Sequence, residues 1–421
     1  MEAYLASIDA AFSSSSTPSS HAFISLIVVT AQQHAALKDD FAAHRSVDQS
    51  MIAQRISRSN ATMTGVLLDR TASLIEAALQ YVADAPPIAI LTDTNDRRRD
   101  QWLAKASLPA WQQAQAKWAT VFNRSSALFS VSPTSPPVWF FPTFRLVSML
   151  FLTLCIRLDR LSSPFAQSHS HRQPYLTECT SKLAGPVRAA GTDRTSLPGH
   201  ETKRSAAMWL GNDCLRGYFK LNNLKLCETV LKSVREANNR NREHVNSTLE
   251  TAPPSSQSSS STFMSDDPHE SIYPLSQQVT YRYYVGRLRI SQGRIRDAFH
   301  DLSWALHYCH AQHGHRQIRS ILLHLLPCAL VLGMRPSRFV LSLLDQDVAN
   351  LYLPLFALYA KPDIAAFEAT LNVRQRKERL RKLNVYLMIR DKSAIGMWRG
   401  IVKRWWVLCH KAAKTGSDEH C

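Results

Sequence analysis

Glycine is scarce in this chain, with 13 among 421 residues, and the glycine loops on which many enzymes depend are missing. The sequence contains no GxxxxGK(S/T), no GxGxxG and no GxSxG, motifs that bring backbone against phosphates or expose a nucleophilic serine. The HExxH pair of zinc hydrolases is absent as well. These absences argue against the commonest classes of nucleotide-dependent and hydrolytic enzyme. We therefore expect no catalytic residue, no enzymatic activity and no cofactor.

Cysteine pairs of the kind that hold zinc are also missing. The 8 cysteines include no CxxC, and Cys227, Cys309 and Cys328 fall on apolar helical faces, where cysteine acts as a small hydrophobic residue. We expect reduced thiols in a nuclear or cytosolic protein. Met1–Ser20 carries two acidic residues and no Lys or Arg, which is not the pattern of a secretory signal.

Histidine supplies the best candidate for a metal site. The cluster joins the end of one predicted helix to the start of the next: His300, His307, Cys309, His310, His313 and His315. Two histidines three positions apart on a helix can share a zinc ion, but a site needs three or four converging ligands. Asp301 is the only carboxylate within the cluster, so we expect no metal.

Long apolar runs are rare. The most apolar segment, Val138–Leu158, is interrupted by Pro142 and Arg145, and the remaining run, Leu146–Ile156, is too short to span a bilayer. We expect this segment to form a buried core helix and the protein to have no membrane partner.

Acidic residues are outnumbered by basic ones. Lys and Arg total 50 against 33 Asp and Glu, a formal net charge of +17, which favours a polyanionic partner. Eleven of these cations lie within residues 374–404, opposed only by Glu378 and Asp391. Basic side chains bind nucleic acid by displacing counterions from its phosphates. The candidate nucleic-acid contacts are Arg376, Lys377, Arg379, Arg381, Lys382, Arg390, Lys392, Arg399, Lys403 and Arg404. A solvated helix face, or a surface for acidic protein segments, is the competing interpretation.

Aromatic residues are interleaved with these cations. Trp398 is the candidate for stacking on an unpaired base, as aromatic side chains do on single strands. Trp405 and Trp406 are expected in the core, because a basic helix face does not by itself expose its tryptophans. Base stacking is the alternative for these two residues.

The apolar periodicity of residues 279–334 predicts three successive amphipathic helices. Gln292-Gly293 separates the first from the second, and Gly314 separates the second from the third. The second helix carries Leu302 and Leu306 on its apolar stripe, which makes them core candidates. Each stripe needs a neighbouring helix to cover it. The pattern therefore predicts a TPR-like helical solenoid in a mostly α-helical protein.

Low-complexity segments divide the predicted helices. The expected parts are an N-terminal helical region (1–158), a low-complexity connection (159–203), helical repeats (204–372) with a disordered insertion (239–270), a basic segment (373–408) and a tail (409–421). The connection is rich in Ser, Pro, His and Thr and is expected to be loosely ordered. The insertion is centred on PPSSQSSSST, which can bury little apolar surface.

Five stretches of this sequence carry a family resemblance. They are WLGNDCLRGYFKLNNLKLCETVL (Trp209–Leu231), VTYRYYVGR (Val279–Arg287), DLSWALHYCH (Asp301–His310), ILLHLLPCALVLGMRPS (Ile321–Ser337) and LNVYLMIRDKSAIGMWRGIVKRWW (Leu383–Trp406). They resemble a PCI-domain family whose members serve the nuclear transcription-coupled mRNA-export complex, or are the twelfth-subunit-like protein of the COP9 signalosome. The resemblance covers residues 204–408, about half of the chain.

The resemblance implies PCI architecture, in which helical repeats are followed by a winged helix. Residues 373–408 correspond to the start of that winged helix, and the chain stops before the family's recognition helix and wing, so a truncated winged helix is expected. The implied function is a non-enzymatic scaffold or adaptor subunit in the nucleus, with the cytoplasm as a second location. An assembly subunit of a COP9-signalosome- or proteasome-lid-like complex, with no nucleic-acid role, is the alternative.

The resemblance also implies three kinds of partner for such a subunit. They are a large helical scaffold subunit of the export complex, a small acidic PCI-binding protein, and RNA or single- or double-stranded DNA. The basic segment would provide the nucleic-acid contacts.

Overall fold

The computed structural model of this chain describes residues 2–13, 18–43, 47–92, 107–131, 137–162, 173–249, 272–310 and 314–417. The chain divides into two compact units, Met1–Tyr273 and Pro274–Cys421. Within these described ranges every regular element is a helix, so the prediction of a mostly α-helical protein is confirmed.

The first unit contains ten α-helices in its described part. They are α1 (Glu2–Phe12), α2 (Ser20–Ile27), α3 (Ala31–Ala43), α4 (Gln49–Ser59), α5 (Gly65–Asp84), α6 (Leu108–Phe129), α7 (Phe141–Ser162), α8 (Pro174–Thr192), α9 (Ala207–Lys220) and α10 (Leu224–Leu249). Aromatic packing joins the central pair, because Phe122 of α6 stacks on Phe151 of α7 with ring centroids 5.1 Å apart. The indole N–H of Trp118 donates to the carbonyl of Val147 at 3.3 Å.

Helix α7 contains the most apolar segment of the chain. Val138–Ser162 is the one segment of the described chain that is long and apolar enough to cross a membrane, and 67% of its most apolar stretch is buried. Pro142 does not interrupt the helix, because it lies in the first turn, where its missing N–H costs no hydrogen bond. The prediction of a buried helix is therefore confirmed, although it begins earlier than the apolar run suggests.

Helix α8 corrects the prediction of a loose connection over residues 159–203. Its buried side chains include Leu176, Cys179, Leu183 and Val187, which recur at helical spacing. The sequence obscures this stripe, because small and polar residues separate its members and Pro186 lies among them. Residues 163–172 of the predicted connection lie outside the described residues.

Helix α10 corrects the predicted start of the insertion, since it continues to Leu249. Arg240 fastens it to the end of α8 by donating to the carbonyls of Gly191 at 2.6 Å and Asp193 at 3.2 Å. The remainder of the predicted insertion lies outside the described residues. The division between units after Tyr273 falls inside the segment predicted as helical repeats, and the other predicted domain boundaries stay predictions.

The second unit contains eight α-helices in its described part. They are α11 (Leu275–Ser291), α12 (Ile295–His307), α13 (His315–Val331), α14 (Arg338–Ser342), α15 (Gln346–Ala360), α16 (Ile364–Leu371), α17 (Arg374–Lys382) and α18 (Tyr386–Ser417). Helices α11, α12 and α13 are the three predicted from periodicity. Leu302 and Leu306 of α12 are buried in their shared core, as predicted.

A close approach between α11 and α12 depends on Gly286. A Cβ at this position would lie 2.7 Å from Cγ and 2.9 Å from Cδ2 of Leu302, closer than real Cβ contacts. The absence of a side chain therefore lets the two helices meet at Leu302.

Replacing Gly286 with Ala should destabilise the protein by about 1–3 kcal/mol, because the added methyl group overpacks the core against Leu302. Urea denaturation measures this change. Gly185→Ala on α8 is the matched control, since a Cβ there meets nothing within 4 Å and should add up to about 1 kcal/mol of stability. A Gly286→Ala variant as stable as the wild type would contradict the helix contact described here.

A charged network is buried beside this contact. Asp301 of α12 accepts a hydrogen bond from Arg282 at 3.0 Å and pairs with Arg289 at 2.6 Å, and all three side chains are at most 6% exposed. The guanidinium of Arg282 also lies over the Trp304 ring, 4.8 Å from its centroid. One carboxylate therefore holds two buried arginines of α11.

Candidate nucleic-acid interface

The basic segment forms helix α17, a short turn and helix α18. Asn384 makes the turn with a left-handed φ of 58°, a conformation that asparagine tolerates. The N–H of Val385 returns to the carbonyl of Leu380 at 3.1 Å, which closes the end of α17. Burial of Leu380, Val385 and Ile389 fixes the inner faces of both helices, so most of the cations lie outside.

Arg376 is the least available of the predicted contacts. Its guanidinium donates to the carbonyls of Asn350 at 3.1 Å, Leu351 at 3.2 Å and Thr370 at 2.7 Å. The side chain is half-buried, and this loss of solvent lowers the pKa of Arg376 below its usual value. Arg376 therefore holds α17 against α15 and α16, and its donors face protein carbonyls.

Two predicted contacts on α18 also hold the backbone of neighbouring helices. Arg404 donates to the carbonyls of Ala360 at 2.7 Å and Lys361 at 3.2 Å, which caps the end of α15. Lys392 donates to the carbonyl of Gly293 at 3.1 Å, in the turn before α12. Both side chains remain exposed, but their ammonium or guanidinium groups already have partners.

Ion pairs engage two further cations. Arg379 lies 3.8 Å from the carboxylate of Asp347, and Arg390 contacts Asp391 at 2.8 Å. The Asp391 carboxylate raises the pKa of Arg390, because it stabilises the charged guanidinium. Exposed pairs of this kind contribute little stability, so a phosphate could compete with either carboxylate.

Tyr386 holds two cations at the junction of the two helices. Lys377 and Arg381 lie over its ring, 5.6 Å and 5.4 Å from the centroid. Its hydroxyl donates to the side-chain oxygen of Asn372 at 2.7 Å, which fixes the ring. Lys382 follows Arg381 and is exposed. This junction places positive charge at one end of α18.

The second group of cations lies along α18. Arg399 and Lys403 line a shallow groove together with Trp398. Burial raises the pKa of Tyr359 on α15, and the positive charge of Arg399 opposes this shift. Within the described part of the chain, no hydrogen bond and no ion pair engages the side chains of Lys382, Arg399 and Lys403. These three exposed cations are the ones most available to a polyanion.

The structure corrects the prediction for two tryptophans. Trp405 and Trp406 were expected in the core, yet they are 65% and 55% exposed. Trp398 is 59% exposed, which leaves its ring available as the stacking candidate. The reason is the rotation of α18, which buries Tyr386, Ile389 and Met397 and turns the tryptophans outward.

The histidine cluster does not gather into a metal site where the structure describes it. No three His, Cys, Asp or Glu side chains converge on a common point in these residues. His313 lies outside the described residues. The expected absence of a metal stays a prediction, as does the absence of enzymatic activity.

Comparison with known proteins supplies relatives but no family model, since none of the family models matches the chain. A PCI domain-containing protein of Schizosaccharomyces pombe is 23% identical over 294 residues, covering 69% of this chain and 59% of its own length. A PCI domain-containing protein 2 homolog of Dictyostelium discoideum is 27% identical over 222 residues, covering 53% and 43%. A CSN12 homolog of Mycosarcoma maydis is 25% identical over 289 residues, covering 66% and 56%.

These matches bear on the family and the architecture. The chain spans about half the length of the curated relatives it matches. The helical repeats described above have the architecture predicted from the resemblance, whereas the winged helix stays a prediction, because α17 and α18 are its only described segments and neither is a strand. Over half or more of its length the chain is similar to PCI domain-containing proteins, and its relatives include CSN12 homologs.

Proposed function

We propose that this protein is a non-catalytic scaffold subunit of a nuclear, transcription-coupled mRNA-export complex that binds RNA through α17 and α18. The observation that carries the proposal is the set of exposed cations Lys382, Arg399 and Lys403, which have no hydrogen-bonding or ionic partner in the described chain. Kinship with PCI-domain proteins supports the scaffold part of the proposal.

The arrangement suits an extended polyanion better than a compact anionic ligand. Tyr386, where the first cations gather, and Arg399 are 13 residues apart on one helix, a separation of about 20 Å. Phosphates of one strand can meet cations at both places, whereas a single phosphate group cannot. Such contacts position the backbone and read no bases, so little sequence preference is expected. Single-stranded RNA is the ligand we favour, and single- or double-stranded DNA would use the same contacts.

The remaining parts of this proposal concern partners and location. A large helical scaffold subunit would pack on the solenoid, and a small acidic PCI-binding protein would be the third component. The nucleus is the proposed location, with the cytoplasm as a second one. Resemblance to the export-complex family is the support for these assignments.

A second candidate is an assembly subunit of a COP9-signalosome- or proteasome-lid-like complex without a nucleic-acid role. Two observations favour it. The first is that some relatives are named CSN12 homologs. The second is that three tryptophans of α18 are exposed, and tryptophan is enriched at the energetic centres of protein–protein interfaces. In that case the cations would face acidic segments of neighbouring subunits.

A charge-reversal experiment separates the two candidates. The variant Lys382→Glu/Arg399→Glu/Lys403→Glu should bind single-stranded RNA much more weakly than the wild type, because three phosphate contacts are lost. Fluorescence titrations at two salt concentrations should show a log–log salt dependence that is flatter by about 0.7 per lost contact. Arg376 and Arg404 are left intact, since both hold backbone carbonyls.

The matched control reverses three exposed cations of α10, Lys225, Lys232 and Arg235. It has the same residue types and the same change of net charge, but it lies in the first unit. This control should keep most of the RNA affinity and the wild-type salt dependence. If both variants had the same affinity for RNA, α17 and α18 would not be the RNA-binding surface. The assembly subunit would then be the better proposal.

A further inference from the structure

Two prolines lie inside helices of the second unit and interrupt the hydrogen bonds of the backbone there. Pro327 is in α13 and Pro354 is in α15. Because proline has no N–H, the carbonyl four residues earlier loses its helical donor. The two carbonyls concerned are those of Leu323 and Asn350. Such a carbonyl costs free energy unless water or another donor binds it.

Tyr352 of α15 supplies the missing donor in α13. Its hydroxyl donates to the carbonyl of Leu323 at 2.7 Å. The Tyr352 side chain has no exposed surface, and this burial raises the pKa of its hydroxyl, which therefore keeps the proton that it donates. Tyr352 thus replaces the N–H that Pro327 lacks.

Arg376 of α17 supplies the missing donor in α15. Its Nη2 donates to the carbonyl of Asn350 at 3.1 Å, and its Nε donates to the next carbonyl, that of Leu351, at 3.2 Å. The third bond reaches the carbonyl of Thr370 in α16 at 2.7 Å. The fixed fork of guanidinium donors suits several acceptors at once. Arg376 thus replaces the N–H that Pro354 lacks.

The two pairs form a series because both involve α15. Tyr352 and Pro354 are two residues apart on this helix. The first reaches back to α13, and the second frees the carbonyl that receives Arg376. In an uninterrupted helix the interior carbonyls are already bonded to N–H groups, so a free acceptor lies only at the proline. A directional bond to that acceptor fixes one helix along the next, which non-directional apolar packing does less closely.

We propose that Tyr352 and Arg376 are positioning residues, which set the register of α13, α15 and α17 by donating to the carbonyls that Pro327 and Pro354 leave free. The series ends at α17, the first helix of the basic segment. The place where that segment begins is therefore set from the core of the helical repeats. This inference does not depend on RNA binding, because neither side chain is among the three cations proposed to contact RNA.

Double-mutant cycles on the full-length chain test the two pairs. Tyr352→Phe removes only the hydroxyl and should lower the midpoint of urea denaturation by about 0.5 M, because the carbonyl of Leu323 loses its donor. In a Pro327→Ala background the same substitution should have a much smaller effect, since the N–H restored at position 327 binds that carbonyl. Arg376→Met should likewise have a smaller effect in a Pro354→Ala background.

Crossed pairs are the matched controls for these cycles, because they combine the same kinds of substitution at positions that share no hydrogen bond. Arg376→Met should lower the midpoint equally with and without Pro327→Ala. Arg404 donates to carbonyls at the end of α15, away from the proline. Arg404→Met should therefore lower the midpoint equally with and without Pro354→Ala.

Hydrogen exchange measures how firmly α17 is held. Arg376→Met should raise amide exchange in residues 377–382 by about tenfold or more and leave α11 and α12 unchanged. Arg374→Met is the matched control, since it removes the same charge from the same helix but from a side chain that is 92% exposed. It should change this exchange little. If Arg376→Met does not fold, Arg376→Lys serves in both tests, because an ammonium group lacks the guanidinium fork.

Two results would overturn the proposal. One is additivity within the matched pairs, with the midpoint falling as far in the proline-free backgrounds as in the wild type. The other is equal exchange of α17 in the Arg376 and Arg374 variants. Coupling in the matched pairs together with additivity in the crossed pairs is the result that the proposal predicts.

Discussion

Replacing Leu302 with Asp should unfold most of the second unit at room temperature. Leu302 has no exposed surface, and it fills the contact of α11 and α12 at Gly286. The substitution removes a buried leucine and puts an unpaired carboxylate in its place. The combined cost is about 5 kcal/mol or more, which is comparable to the whole stability of a typical domain.

Far-UV circular dichroism and urea denaturation measure the effect of this substitution. Leu341→Asp is the matched control, because Leu341 belongs to the same unit but is 42% exposed. It should change the free energy of unfolding by less than about 0.5 kcal/mol. If Leu302→Asp unfolded at the same urea concentration as Leu341→Asp, the packing of α12 described here would be wrong.

Removing the charge of Asp301 should be nearly as damaging, although Asn has almost the same shape. Asp301→Asn would remove the carboxylate that pairs with the buried guanidinium groups of Arg282 and Arg289. Breaking a buried ion pair from one side costs about 3–5 kcal/mol, because the remaining charge is uncompensated. The free energy of unfolding should fall by that amount.

A nearby pair provides the control for this charge removal. Asp297 lies 2.6 Å from Arg294 on the surface of α12, with side chains 38% and 54% exposed. Asp297→Asn should therefore cost no more than about 1 kcal/mol. A similar loss in the two variants would mean that the Asp301 network is solvated rather than buried.

The sequence predicts the solenoid well where one apolar stripe dominates each helix. In α12 the stripe is unambiguous, and Leu302 and Leu306 lie in the core as the period of 3.6 residues requires. In α8 the same period is present, but Thr, Ser and Gly surround its buried residues, so composition suggested a loose connection. Composition alone therefore underestimates helices built from small residues.

Helix α18 shows where periodicity alone is insufficient. It carries two apolar stripes, one through Ile389 and Met397 and one through Trp398 and Trp405. Which stripe turns inward depends on residues distant in sequence. A Cβ at Gly396 would collide with the hydroxyl of Tyr359 on α15, so the lack of a side chain there lets this side of α18 approach its neighbour. The sequence gives no local sign of that contact.

The basic segment illustrates the same limitation for charge. Its ten predicted contacts look equivalent in the sequence, yet Arg376 and Arg404 donate to backbone carbonyls, and Arg390 contacts Asp391. The difference appears only in the folded chain, where no such contact engages Lys382, Arg399 or Lys403 within the described residues. The carbonyl groups that engage Arg376 and Arg404 belong to helices α15 and α16 or their ends, which no local pattern connects to α17 or α18.

The proposed scaffold role in a complex is the centre of this account, and purification of the full-length chain from nuclear extract tests it most directly. The tagged protein should elute in a large, RNase-resistant assembly, with at least one long helical subunit present in equal amount by mass spectrometry. RNA recovered with that assembly before RNase treatment would support the export-complex proposal. Recovery of the chain alone, as a monomer without stoichiometric partners in nuclear or cytoplasmic extract, would contradict the account.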